Sequence, residues 1–232
     1  MKHLLPRREA FALRHPRIAR VLSSSAHERA DAALVLGASG SMLFTVFCLI
    51  SSRFSNPIWF LTLGLYNFSL GILRLFLAGA IRRGIRVPEA ATPQRERRAC
   101  LAAGVLMLAF SMVFSVMSMQ RLLRSPSGPL PGPVLVFLIF FTALRLLLCL
   151  FFAVLHRRAG STLMHAVDRL NLVVAVSSLY TTQDGILLSL GLSEIPVMLL
   201  NLLTCSLVLA FQLRLSVRMI TEACSAPPSG RE

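Results

Sequence analysis

The sequence predicts an all-α protein, a polytopic membrane helix bundle with six transmembrane helices, and three observations carry that prediction. Hydrophobic residues make up 55% and charged residues 15% of the 232 residues, with a mean hydropathy of +0.70, a composition outside the soluble globular range. Apolar stretches of about 20 residues, the length a helix needs to cross a bilayer, recur along the chain at 32–52, 57–80, 100–120, 133–155, 168–191 and 196–215. The stretch 168–191 also carries Asn171, Ser177, Ser178, Thr181, Thr182, Gln183 and Asp184. Polar groups at membrane depth need protein partners or a cavity. This helix therefore cannot face lipid all round, and it is expected at the bundle centre. Asp168, Asn171, Ala175, Ser178, Thr182, Gly185 and Ser189 form one small or polar stripe on it, with Gln183 and Asp184 on the other side.

The net charge of +14 does not point to nucleic acid, because the Arg residues flank apolar spans and do not cluster on a soluble face. Of the five Cys, Cys48, Cys149 and Cys205 fall inside spans, Cys100 begins one and Cys224 lies near the end; no CxxC or Cys/His cluster is present. A disulfide framework and a zinc site are both excluded by that pattern.

Residues 1–31 form a basic arm with seven Lys or Arg and no apolar core of signal-peptide length. Pro6 and Pro16 break any long helix, so the arm reads as disordered. The alternative lays Leu13, Ile18 and Val21 on an anionic lipid surface. The first span, 32–52, places Gly37, Ser41, Thr45, Cys48 and Ser52 on one side. Pro57 suits the first position of the second helix, where its missing N–H would have no partner, and Trp59 sits where an interfacial aromatic belongs. In the second span Gly64, Asn67, Gly71, Arg74 and Ala78 share one face, opposite Leu63, Leu65, Phe68, Leu70, Ile72 and Phe76 as a lipid-facing surface. Arg74 lies about 12 Å along the axis from Arg82. Its guanidinium either snorkels to the interface or has a specific internal partner.

Residues 81–99 carry six Arg against two Glu and read as a solvated connector. The third span, 100–120, aligns Gly104, Ser111, Ser115 and Ser118, and a Pro- and Gly-rich turn follows it, with Pro133 placed to open the fourth helix. The fourth span is the most hydrophobic and yet contains Arg145, about 18 Å from either end. A charge at that depth costs about 2.5 to 3.5 kcal/mol on insertion scales. Thr142, Arg145, Cys149 and Ala153 share a face, so the Arg points inward, as a structural cation or as a contact for a permeating anion. The sixth span offers Asn201, Cys205 and Gln212 inward, and the tail 220–232 reads as disordered.

Six spans place both termini on one side. Nineteen Lys or Arg lie on that side against three on the other, so the positive-inside rule puts both termini in the cytoplasm and the protein in the cell membrane. A 63-residue shift aligns 113–120 with 176–183 and carries Pro133 onto Pro196. Together with the first helix pair this suggests three hairpins in parallel orientation; chance likeness between apolar helices is the competing explanation.

The segments 56–77 and 176–191 resemble an uncharacterised family of multi-pass membrane proteins of Gram-positive bacteria. Trp59-Phe60, Tyr66, Arg74, Gln183, Gly185 and Leu187 occupy the family's places, whereas Asn67 stands where a second tyrosine is usual and Asp184 where a threonine is usual. The resemblance spans roughly residues 30–220, implies a bacterial multi-pass protein and supplies no activity.

No GxSxG, HExxH or P-loop is present and no His lies deep in a span, so the expectation is a non-enzyme without cofactor. His165 and Asp168, one turn apart, lack the second-helix carboxylate a metal site would need. The candidate intramembrane polar site comprises Arg145, Asp184, Gln183, Arg74, Asn67 and Thr182. Asp184 lies about 10 Å from the outer end of its helix and Arg145 about 18 Å from that of its own. An extended Arg spans most of the difference, so an ion pair between them is expected. The alternative sets Arg145 on Gln183 or backbone carbonyls and Asp184 in an outward-facing vestibule. Two function classes follow: transport of a small solute or ion through the polar centre, or a non-catalytic assembly or accessory subunit. Expected partners are the lipid bilayer, with anionic lipids at the cytoplasmic face, and no nucleic acid; homo- or hetero-oligomers remain open.

Overall fold

A computed structural model describes residues 26–54, 57–86, 93–123, 130–156, 162–190 and 194–225. The basic arm up to residue 25, the middle of the Arg-rich connector, most of the Pro-rich turn and the last seven residues lie outside the described residues. Six helices make up the fold and no strand occurs among the described residues. They are α1 (Ala26–Ser51), α2 (Pro57–Arg86), α3 (Pro93–Leu123), α4 (Gly132–His156), α5 (Thr162–Ser189) and α6 (Glu194–Ser225). All six are long and apolar enough to cross a membrane.

Several helices outrun their apolar spans. α3 has 31 residues and α6 has 32, or about 47 Å at 1.5 Å per residue, against a hydrocarbon core of about 30 Å. Their ends therefore project from the apolar layer together. There Arg97 donates from Nε to the Ala223 carbonyl at 2.9 Å and from Nη2 to the Cys224 carbonyl at 3.1 Å, covering carbonyls that the last turn of a helix leaves without intrahelical donors. Glu222 accepts from Arg169 at 2.7 Å and from Arg218 at 2.9 Å. Residues 220–225, expected to be disordered, are thus helical, and Ala223 is buried. Periodicity could not reveal this, because the contact that holds the segment comes from Arg97, 126 residues away. At the same end Arg82 pairs with Asp31 at 2.8 Å.

α5 touches all five other helices and, as its polarity predicts, occupies the centre. The most extensive contact joins α1 and α2, followed by α3 with α6 and α4 with α5. Small residues permit the α1–α2 approach. A Cβ on Gly64 would lie 3.2 Å from Cys48 Cβ, and one on Gly71 would lie 2.9 Å from Met42 Cε. Thr45 Oγ1 crosses to the Gly64 carbonyl at 3.2 Å. The two predicted stripes therefore face one another. Leu63 and Leu70, expected on the lipid side, are buried; Leu65, Phe68, Ile72 and Phe76 do form exposed apolar surface.

The arrangement of hairpins differs from expectation in one respect. α3 and α4 are not a packed pair: α3 lies on α6, where a Cβ on Gly104 would sit 2.9 Å from Ile220 Cγ1, and α4 lies on α5 through Thr142 and Thr182. Hydroxyl pairs and small-residue contacts outweigh chain adjacency in setting neighbours here.

Candidate functional site

Heptad spacing on two helices builds the site. Asn67 and Arg74 lie seven residues apart on one face of α2, and Asn171 and Ser178 seven apart on one face of α5, a rise of about 10 Å in each. The structure puts these pairs in register. Arg74 donates from Nη2 to Asn171 Oδ1 at 3.0 Å. Arg145, reaching in from α4, donates from Nη2 to Asn67 Oδ1 at 2.8 Å and from Nη1 to Ser178 Oγ at 2.6 Å. Two rungs result, each containing one guanidinium.

The Arg74 rung is completed by α1. Nη1 donates to the Gly37 carbonyl at 2.6 Å and to Ser41 Oγ at 2.9 Å, while its buried Nε has no acceptor. Arg74 is only 4% exposed, which decides its reading: it has specific internal partners and does not snorkel.

The Arg145 rung is completed by aromatic faces. Its Cζ lies 4.9 Å from the Phe44 ring centroid and 4.4 Å from that of Phe141, and a desolvated cation over an aromatic ring gains about 2 kcal/mol. Phe47 stacks on Phe137 at 3.9 Å beside them. Asn67 Nδ2 donates to the Leu63 carbonyl at 2.9 Å, so its amide is fixed with the oxygen toward the cation. Hydrogen bonds to a charged group are worth about 1.5 to 3 kcal/mol each, enough in combination to offset the insertion cost of a central Arg.

No carboxylate among the described residues forms an ion pair with either guanidinium; the acceptors are neutral amides, hydroxyls and a carbonyl. Both arginines line one cavity of about 290 Å³ between α1 and α4, which also touches Gly37, Gly40, Cys149 and Asn171. On the other side of Arg145 a space of about 10 Å³, room for one water, is lined by Tyr66, Asn67, Ser177 and Ser178.

The remaining polar groups are distributed elsewhere. Thr182 shares a hydrogen bond with Thr142 at 2.7 Å, and Thr142 also donates to the Ser178 carbonyl at 3.2 Å, a zipper between α4 and α5. Gln183 donates to Thr204 at 3.0 Å and Asp184 accepts from Asn201 at 2.7 Å, both toward α6. Arg145 and Asp184 therefore do not form the expected pair. Arg145 meets α5 at Ser178, about 9 Å along the axis from Asp184, and Phe44 and Phe141 hold it there. Nor is Asp184 in an open vestibule, since it is 2% exposed. Three of the six candidates, Arg74, Arg145 and Asn67, come together; Thr182 adjoins them, and Gln183 and Asp184 belong to the α5–α6 contact.

Sequence reading missed Phe44 and Phe141 as partners of Arg145, although Phe141 stands one turn before it, and placed Gly37, Ser41 and Asn171 on inward stripes without assigning them to Arg74. Tyr66, Ser177 and Gln212 form a further buried cluster. Tyr66 Oη and Ser177 Oγ lie 3.0 Å apart, and Gln212 Nε2 donates to Ser177 at 2.8 Å. His165 is exposed, and no group of three His, Cys, Asp or Glu residues able to hold a metal occurs among the described residues.

No family model, no curated protein and no solved structure matches the chain. The protein is accordingly identified by its architecture, as a multi-pass membrane helix bundle.

Proposed function

We propose that this chain is a non-enzymatic protein of the cytoplasmic membrane, with both termini inside, that binds an anion at Arg74 and Arg145 and serves its passage through the membrane. One observation carries the reading: two guanidiniums with no ion-paired carboxylate among the described residues line a common cavity at membrane depth. Charge is expensive there and marks substrate or ion pathways, and guanidinium offers planar, bidentate recognition of phosphate and carboxylate. Proteoliposomes test it with a panel running from inorganic phosphate and short carboxylates to short-chain phosphate esters. Wild type should take up at least one anion, Arg74→Gln and Arg145→Gln should abolish that uptake, and Arg145→Lys should retain part of it. Anion flux indifferent to both arginines would overturn the reading.

The alternative, a non-catalytic assembly subunit, draws on a different observation. The groups shared by α5 and α6, Asp184 with Asn201 and Gln183 with Thr204, are paired within the chain as in purely structural contacts. Absence of flux together with copurification of a stoichiometric membrane partner would favour it.

A further inference from the structure

The cavity's walls describe its ligand more closely than its charge does. It extends along α1 from Ala33, two residues past the Asp31 that pairs with Arg82, to Leu43, a rise of about 15 Å. It therefore runs from near the Arg-rich end of the bundle toward mid-membrane. Its rim on α1 and α4 consists of side chains that face outward from the bundle: Leu36 is 50% exposed, Leu43 58% and Leu144 40%. The α1–α4 contact is among the slimmest in the bundle, so the opening is lateral, toward lipid. An ion dissolved in water would have to cross that apolar rim to reach the guanidiniums. A molecule with its own hydrocarbon chains would not, because the chains can lie over the leucines while the head turns inward.

Charge narrows the head. Two cations with no ion-paired carboxylate among the described residues match a group carrying two negative charges, and a phosphate monoester carries about −1.5 to −2 at neutral pH. We propose that the cavity between α1 and α4 takes the phosphomonoester headgroup of an acyl-chain lipid from the surrounding leaflet. The lipid is of the phosphatidic-acid type, with Arg74 and Arg145 on the phosphate and the chains along Leu36, Leu43 and Leu144. This rests on the anion reading of the same two arginines and specifies the anion.

Gly40 gives a test that leaves the arginines in place. It lines the cavity, and a Cβ added there would meet only Phe141 Cζ, at 3.8 Å. Gly40→Leu should therefore fill the cavity without displacing backbone. The full chain, purified in neutral detergent and monodisperse, is titrated with dioctanoyl phosphatidic acid, dioctanoyl phosphatidylcholine and inorganic phosphate. Phosphatidic acid should bind at least tenfold more tightly than phosphatidylcholine. Gly40→Leu and Arg145→Gln should each weaken it at least tenfold, and Gly79→Leu, which meets nothing within 4 Å, should leave it unchanged. If Arg145→Gln does not fold, Gly40→Leu decides. Equal binding of the two lipids, or phosphatidic acid binding unaffected by Gly40→Leu, overturns the proposal. Inorganic phosphate bound in an Arg145-dependent way without phosphatidic acid overturns the lipid but spares the anion reading; binding of neither phosphate compound likewise overturns the lipid, and the anion reading then stands or falls on the carboxylates of the flux panel.

Discussion

Gly37 and Arg74 are fitted to each other: the glycine's carbonyl accepts from the guanidinium at 2.6 Å, and a Cβ on the glycine would stand 2.8 Å from Arg74 Cζ. Arg74 cannot yield cheaply, since Ser41 and Asn171 also hold it. Gly37→Ala should therefore destabilise the protein by about 1 to 3 kcal/mol, the usual cost of overpacking, lowering the midpoint of thermal unfolding in detergent. Gly40→Ala, three residues on, should be nearly neutral. Similar losses at the two glycines would show that Arg74 is not held as described.

Arg145 and Asn67 should behave as a coupled pair. Arg145→Met leaves the Asn67 oxygen without its cation, and Asn67→Leu removes one of the acceptors of a buried charge. Each should cost about 1 to 3 kcal/mol, and the double variant should recover part of the sum. Arg145→Met combined with Asp184→Leu should be additive, because those residues bind different helices. The reverse pattern, with coupling at Asp184 and none at Asn67, would restore the ion pair that the sequence suggested.

Close approach of α1 and α2 depends on Gly71 and not on Gly79. Gly71→Leu would drive side-chain atoms into Met42 and Ser41, whereas Gly79 has nothing within 4 Å of an added Cβ. The yield of monodisperse protein should fall for Gly71→Leu and hold for Gly79→Leu. Equal yields would argue that the α1–α2 stripe does not govern packing.

Orientation has a direct test in an exposed position between α1 and α2. In a Cys224→Ser background, Phe54→Cys should react with a membrane-impermeant maleimide added to intact cells, since Phe54 is 76% exposed and lies at the end opposite the Arg-rich connector. Native Cys224, also exposed, should react only after permeabilisation. Labelling in the opposite order would invert the topology expected from the Lys and Arg distribution.

The sequence made the helix number, the central position of α5 and the inward faces of α2 and α6 legible, because each is written in local periodicity. Asn201, Cys205 and Gln212 are all buried, as their spacing requires. What it could not show was partnership across helices. The inward faces of α2, α4 and α5 present five polar side chains within about two turns of one another along the axis, Asn67, Arg74, Arg145, Asn171 and Ser178, and spacing alone permits several pairings. Heights along the axis made Asp184 a plausible mate for Arg145. The direction in which each helix turns its face, set by Phe44 and Phe141 on one side and Asn201 on the other, decided otherwise. Likewise, the partner that orders the end of α6 is an Arg on α3 that composition classes as loop.

The contact of α5 with every other helix has a consequence for biogenesis. Its membrane span is the least hydropathic of the six, and its polar side chains are met by groups from α2, α4 and α6. Partitioning of a single segment into lipid depends on that segment's own transfer free energy, which for this helix is the poorest in the chain. As the ribosome delivers α5, two of its three hydrogen-bonding partner helices, α2 and α4, have already been made, and only α6 is still to come. Order of synthesis thus supplies a polar pocket before the helix that needs it. A rearranged gene that encoded α5 first should leave this segment outside the bilayer, readable as glycosylation of an acceptor site placed beside it in a microsomal translation.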